Sequence, residues 1–209
     1  MSGNPLVQLE KDMLANLAGV FFVSGFGALI YQVCWQRLLF TGFGVDLTSI
    51  TVIISVFMLG LGVGAFFGGR IADRYSQNLI LLFCAIEMLI GVFGFFSYQI
   101  IHMVQQLMIA QNLLIMTLSV FILLIIPTFM MGSTLPLLTT FFNKYIGNIG
   151  ESIGNLYFFN TLGASFGALA TGFILFNYFS ISQTLILAAC LNSFIAVIIF
   201  ILYGTKKYE

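Results

Sequence analysis

The sequence predicts an all-α integral membrane protein, a bundle of six transmembrane helices built as two inverted three-helix repeats. Three observations carry that reading. Of the 209 residues 60% are hydrophobic and only 7% charged, with 24 phenylalanines and a mean hydropathy of +1.10, a composition no soluble domain of this length shows. Six apolar runs are each long enough to cross a hydrocarbon core, which takes about 20 residues of helix. Two of them share a pattern, Gly60-x-x-x-Gly64-Ala65-x-x-x-Gly69 and Gly163-x-x-x-Gly167-Ala168-x-x-x-Gly172, although the second and fifth crossings run in opposite directions. That opposition is the mark of inverted repeats.

The runs are Leu14–Phe40, Ser49–Ile71, Leu79–Met103, Leu113–Phe141, Ile153–Phe176 and Thr184–Leu202. Residues 1–13 read as a polar cytoplasmic segment, 14–203 as a single membrane domain and 204–209 as a cytoplasmic tail. The first run is too long for the apolar core of a secretory signal and lacks a small-residue cleavage site, so it is expected to stay in the mature chain. Pro127 and Pro136 are expected to kink the fourth helix and leave carbonyls for neighbouring helices to satisfy. With six crossings, both termini and the second and fourth loops share one side. Lys11, Arg70, Arg74, Lys144, Lys206 and Lys207 fall there and only Arg37 falls opposite, which places both ends in the cytoplasm.

Several function classes are set aside by composition. The net charge is zero, so no basic face for nucleic acid is expected. Cys34, Cys84 and Cys190 lie far apart in apolar runs and read as small core residues, not as disulfide or metal ligands. Ser24, Ser133 and Thr134 have no histidine within readable reach, no phosphate loop is present, and neither an enzyme nor a cofactor is expected.

Gly60, Gly64 and Gly68 fall on one helical face, where absent side chains let another backbone approach; Gly163, Gly167 and Gly172 read the same way. The first stripe runs into a charged corner, Gly69-Arg70-Ile71-Ala72-Asp73-Arg74, which must sit in water. This corner resembles the loop between the second and third helices of major facilitator transporters, usually G-x-x-A-D-R-x-G-R-R, although here it ends Tyr75-Ser76-Gln77-Asn78 and lacks the later glycine and basic pair. The resemblance implies a structural role for Gly69, Arg70, Asp73 and Arg74 in setting the tilt of neighbouring helices.

Three further stretches resemble the membrane domain of bacterial fused spermidine synthase-like proteins. They are SGFGALIYQVCWQRLL from Ser24, PTFMMGSTLPLL from Pro127, and GNLYFFNTLGASFGALATG from Gly154. The resemblance covers nearly the whole chain and implies a six-helix, half-facilitator fold in the bacterial inner membrane. It does not carry the synthase activity, whose domain would follow the last helix. Where that family has a glutamate after the tyrosine, this chain has Gln32, which removes a titratable group.

Polar groups inside membrane helices are the candidates for chemistry, against the plainer reading that they hold helices together. Glu87 stands out: eight residues into the third helix, about 12 Å deep at 1.5 Å per residue, it must be paired, protonated or beside water. By depth its expected neighbours are Asn155, Tyr157 and Asn160. Arg37 either snorkels to the headgroups or pairs with Asp46 or an anionic ligand, with Gln32 near the same face. Tyr31 and Trp35, four apart, either pack or offer ring faces to a cation. Substrate binding or proton handling is thus expected among Glu87, Gln32, Arg37, Tyr31, Trp35, Tyr157 and Asn160. The expected partners are the lipid bilayer and a second copy or another membrane protein. Two functions compete: a half-transporter, working as a dimer, for a small solute that the resemblance suggests is a polyamine-like amine, or a structural or anchoring subunit of a larger complex or of a separate synthase-like protein.

Overall fold

A computed structural model describes residues 5–43, 47–108, 111–146 and 149–204. All regular structure among them is helical: α1 (Pro5–Phe43), α2 (Leu47–Arg74), α3 (Leu79–Met108), α4 (Leu113–Ile146), α5 (Ile149–Ala170) and α6 (Ile181–Ile199). Six spans, Ala15–Thr41, Ser49–Arg74, Leu79–Met108, Leu114–Asn143, Ile153–Tyr178 and Ile181–Gly204, are long and apolar enough to cross a membrane. Helix α1 reaches back through the polar stretch to Pro5, a residue that suits a first helical position because its missing N–H would have no partner there.

Local chemistry fixes the helix ends. The chain leaves α2 through a tight turn in which Asn78 donates its N–H to Tyr75 O at 2.9 Å. Asn112 caps α4 by accepting from the Ile115 N–H at 3.0 Å. Ser180 opens α6 with a capping box: its hydroxyl accepts from the Gln183 N–H at 3.3 Å, and the Gln183 side chain accepts from the Ser180 N–H at 2.9 Å. Helix α4 stays helical across both Pro127 and Pro136. Its hydroxyls bond back to its own carbonyls, Thr128 to Leu124 O at 2.8 Å and Thr139 to Leu135 O at 2.8 Å. After Ala170, α5 passes through a π-helical turn, Thr171–Leu175, before ending at Tyr178.

Helix pairing follows the repeat and not the chain order. The dominant contacts join α2 to α4, α1 to α5 and α3 to α6. The first two pairs are parallel: Gly60, Gly64 and Gly68 ascend α2 opposite Thr128, Phe129 and Ser133 of α4, and Gly163 and Gly167 ascend α5 opposite Phe22 and Phe26 of α1. A Cβ at Gly64 would overlap the Phe129 carbonyl, and one at Gly167 the Phe26 carbonyl, so these seams are backbone against backbone. The middle helix of each repeat therefore packs on the first helix of the other. The weaker contacts obey the same exchange, α3 with α4 matching α6 with α1. Gly172, grouped with the packing glycines by spacing, is different: it is exposed, and a Cβ there would meet nothing within 4 Å. It follows Gly167 by five residues, which is about 140° around a helix from the seam, and Thr171, four residues after Gly167, is buried in its place.

Two apolar clusters fill the bundle. One, toward the α1–α2 end, gathers Tyr31, Trp35, Phe57, Ile90 and Leu185; the other, toward the α2–α3 end, gathers Phe21, Phe83, Phe142, Ile195 and Ile199.

Candidate functional site

A polar junction separates these clusters. Glu87 of α3 is completely enclosed, with an exposure of 0%. Both of its carboxylate oxygens are held by neutral donors from other helices: Ser24 Oγ of α1 donates to Oε1 at 2.8 Å, and Asn192 Nδ2 of α6 donates to Oε2 at 2.5 Å. Three helices meet at one carboxylate, and neither of its two partners carries a charge. Phe21 and Phe83, one turn away on α1 and α3, stack at 6.4 Å. Tyr31 and Trp35, about two and three turns further along α1 than Ser24, stack at 5.2 Å.

Glycines let the helices come this close. A Cβ at Gly91 would stand 2.7 Å from Ser193 Oγ, bringing α3 onto α6, and one at Gly94 would run into the Tyr31 ring. At Gly27 the approach is close without overlap: a Cβ would meet Asn192 Oδ1, at a tight 3.3 Å. That oxygen is buried and accepts no hydrogen bond, and the Tyr31 hydroxyl and Trp35 Nε1 are likewise buried without partners.

The residues singled out from sequence are not gathered in one place. Glu87 is in the junction, but its expected neighbours are not. Tyr157 is 59% exposed, Asn155 is half-buried, and Asn160 packs over Gly25 of α1. Depth alone misplaced them, because α5 lies along a different flank of α1 from the one that faces α3 and α6. Tyr31 and Trp35 are wholly enclosed, and Trp35 also meets Phe57 at 5.9 Å and Phe93 at 5.8 Å, so their ring faces are covered by other rings. Arg37 is exposed and Gln32 half-buried on α1; Asp46, the proposed partner of Arg37, lies outside the described residues. Cys34 and Cys84 are buried as core residues, whereas Cys190, also expected in the core, is exposed and lines a cleft between α3 and α6.

In the corner after α2, Arg70 stacks over the Phe66 ring at 4.1 Å and Arg74 over Tyr75 at 5.7 Å. Asp73 is exposed and opens onto a cleft of about 400 Å³ with Pro136, Thr139, Thr140, Asn143 and Ile153. A second cleft of about 290 Å³ runs along the α3–α6 seam beside Gly91, Phe95, Ala189 and Ser193. Glu87 lines neither. Among the described residues no three or more of His, Cys, Asp and Glu gather as a metal site would require.

Ser24 and Asn192 were missed as Glu87 partners. Asn192 is the one amide deep inside the sixth run, and that depth was the signal that could have found it, but which face of α6 it occupies follows only from how that helix docks.

Comparison with known proteins agrees with this architecture. Among curated proteins, the polyamine aminopropyltransferase of Oceanobacillus iheyensis is 24% identical over 190 residues, which is 91% of this chain and 34% of that protein. The chain thus spans about a third of that relative's length. No solved structure matches it. The model of the Major Facilitator Superfamily matches residues 17–209, and together with the six spans and the exchanged helix pairs it places this transporter-like membrane chain in that superfamily.

Proposed function

We propose that this chain is a half-transporter module that moves a small organic solute across the bacterial inner membrane and works as a parallel twofold dimer. The observation that carries this reading is Glu87: an enclosed carboxylate held only by Ser24 and Asn192 is costly in a membrane and does nothing for packing that a leucine would not do better. Such a group suits a role in handling charge during transport. A second six-helix half is what a facilitator needs, and a second copy supplies it with the same orientation. Helix α5 supports a protein neighbour, since it is the least apolar and least buried span and leaves Tyr157, Thr161 and Ser165 exposed along one face. The bias of basic residues toward the Arg70 side supports cytoplasmic termini. The named activity of the Oceanobacillus relative supports a polyamine-like amine as cargo.

The alternative is a non-transporting subunit that anchors or scaffolds a separate protein. It is favoured by the two described clefts, neither of which reaches Glu87 or Arg37.

The test is native mass measurement of the complex purified gently from its membrane, followed by reconstitution into liposomes and uptake of labelled putrescine and spermidine. A dimer with saturable uptake that Glu87→Gln abolishes supports transport. A stoichiometric partner of different sequence and no uptake would establish the subunit reading.

A further inference from the structure

We propose that Ser24, Glu87 and Asn192 form a binding site for one small monovalent cation of sodium's size, seated beside Gly27. This deepens the transport reading, since such an ion would be the coupling ion, but the binding itself requires no transport and is tested without it.

Charge sets the valence. An ionised Glu87 carries one negative charge among apolar neighbours, and its two hydrogen bonds come from neutral groups. An isolated ionised carboxylate is expensive in such surroundings. One positive charge cancels it, whereas a divalent ion would leave the junction with an equally unfavourable excess.

The donor atoms set the chemistry. Glu87 Oε2, Asn192 Oδ1 and Ser24 Oγ are hard oxygen ligands, of the kind that suit alkali and alkaline-earth ions and not the softer transition metals. Asn192 is only 3% exposed, yet Oδ1 accepts nothing, and a buried acceptor left empty is destabilising. Because Nδ2 of the same amide holds Glu87, Oδ1 is tied to the carboxylate's immediate surroundings. When an ion enters, the Ser24 hydroxyl turns its hydrogen away and presents a lone pair.

Space sets the size. The space beside Gly27 is slightly too small for a methyl group, since a Cβ there would stand a tight 3.3 Å from Asn192 Oδ1. A bare sodium ion fits there; an alkylammonium does not. Glu87 is 0% exposed and lines neither cleft, so as it stands it is out of reach of an organic solute and open only to an ion that sheds its water.

The experiment is thermal unfolding of the purified full chain in detergent at constant ionic strength, followed through its single tryptophan, Trp35, in sodium, potassium or choline chloride. The expected result is a saturable rise in midpoint of about 5 °C with sodium, at least a tenfold weaker response to potassium, and none to choline. Glu87→Gln and Gly27→Ala should each unfold cooperatively and lose the sodium response, the first by removing the charge and the second by filling the space. Equal midpoints in the three salts would overturn the proposal and assign the space to water. A sodium response that survives in either variant would overturn it too, by placing the ion elsewhere. A sodium response without any solute uptake would leave the site standing and remove the transport reading.

Discussion

The two glycine seams and the Glu87 junction solve helix contact with opposite materials. Along α2–α4 and α1–α5, absent side chains let backbones touch, with Gly64 under the Phe129 carbonyl and Gly167 under that of Phe26. At the meeting of α1, α3 and α6, three polar side chains are joined by hydrogen bonds between two apolar clusters. In lipid there is no hydrophobic drive between helices, so close packing dominates assembly, and an interhelical hydrogen bond contributes only about 0.6 kcal/mol on average, rising to ~1.7. The seams therefore account for the fold. The junction adds little to it, which is why its cost points to function.

Breaking a seam should produce the largest effect. Gly64→Leu forces a side chain into the α4 backbone and should cost about 3 kcal/mol or more, seen as loss of a monodisperse peak in size-exclusion chromatography. If the repeats are equivalent, Gly167→Leu should behave alike; a harmless Gly167→Leu would show that the two seams are not. Glu87→Gln sharpens the contrast from the other side: uptake should fall to background while the melting midpoint in sodium-free buffer moves by no more than a ~1 kcal/mol change implies. A variant that transports normally would remove Glu87 from the mechanism. Asn192→Leu leaves the carboxylate with Ser24 alone and should cost about 0.6 to 1.7 kcal/mol, measured as a reduced melting midpoint. Smallest of all, Gly172→Leu should change stability by less than about 0.5 kcal/mol, because nothing stands where its side chain would go; strong destabilisation there would mean that another chain covers this face.

The sequence by itself determined the class, the number of spans and the repeat. Those follow from the lengths of apolar runs and from glycines four residues apart, properties each segment carries alone. It also marked Glu87, because a carboxylate eight residues into such a run is costly wherever the helix goes. What it could not determine is adjacency. Short connections suggest neighbours in chain order, yet α2 lies on α4 and α1 on α5, since the inverted halves interlock. Asn160 and Asn192 illustrate the consequence. Both are amides inside a span, but Asn160 went to the α1–α5 seam and Asn192 to Glu87. Only tertiary structure decided between them, because a helix's depth is set by its own length, whereas the direction each side chain faces is set by the helix it packs against.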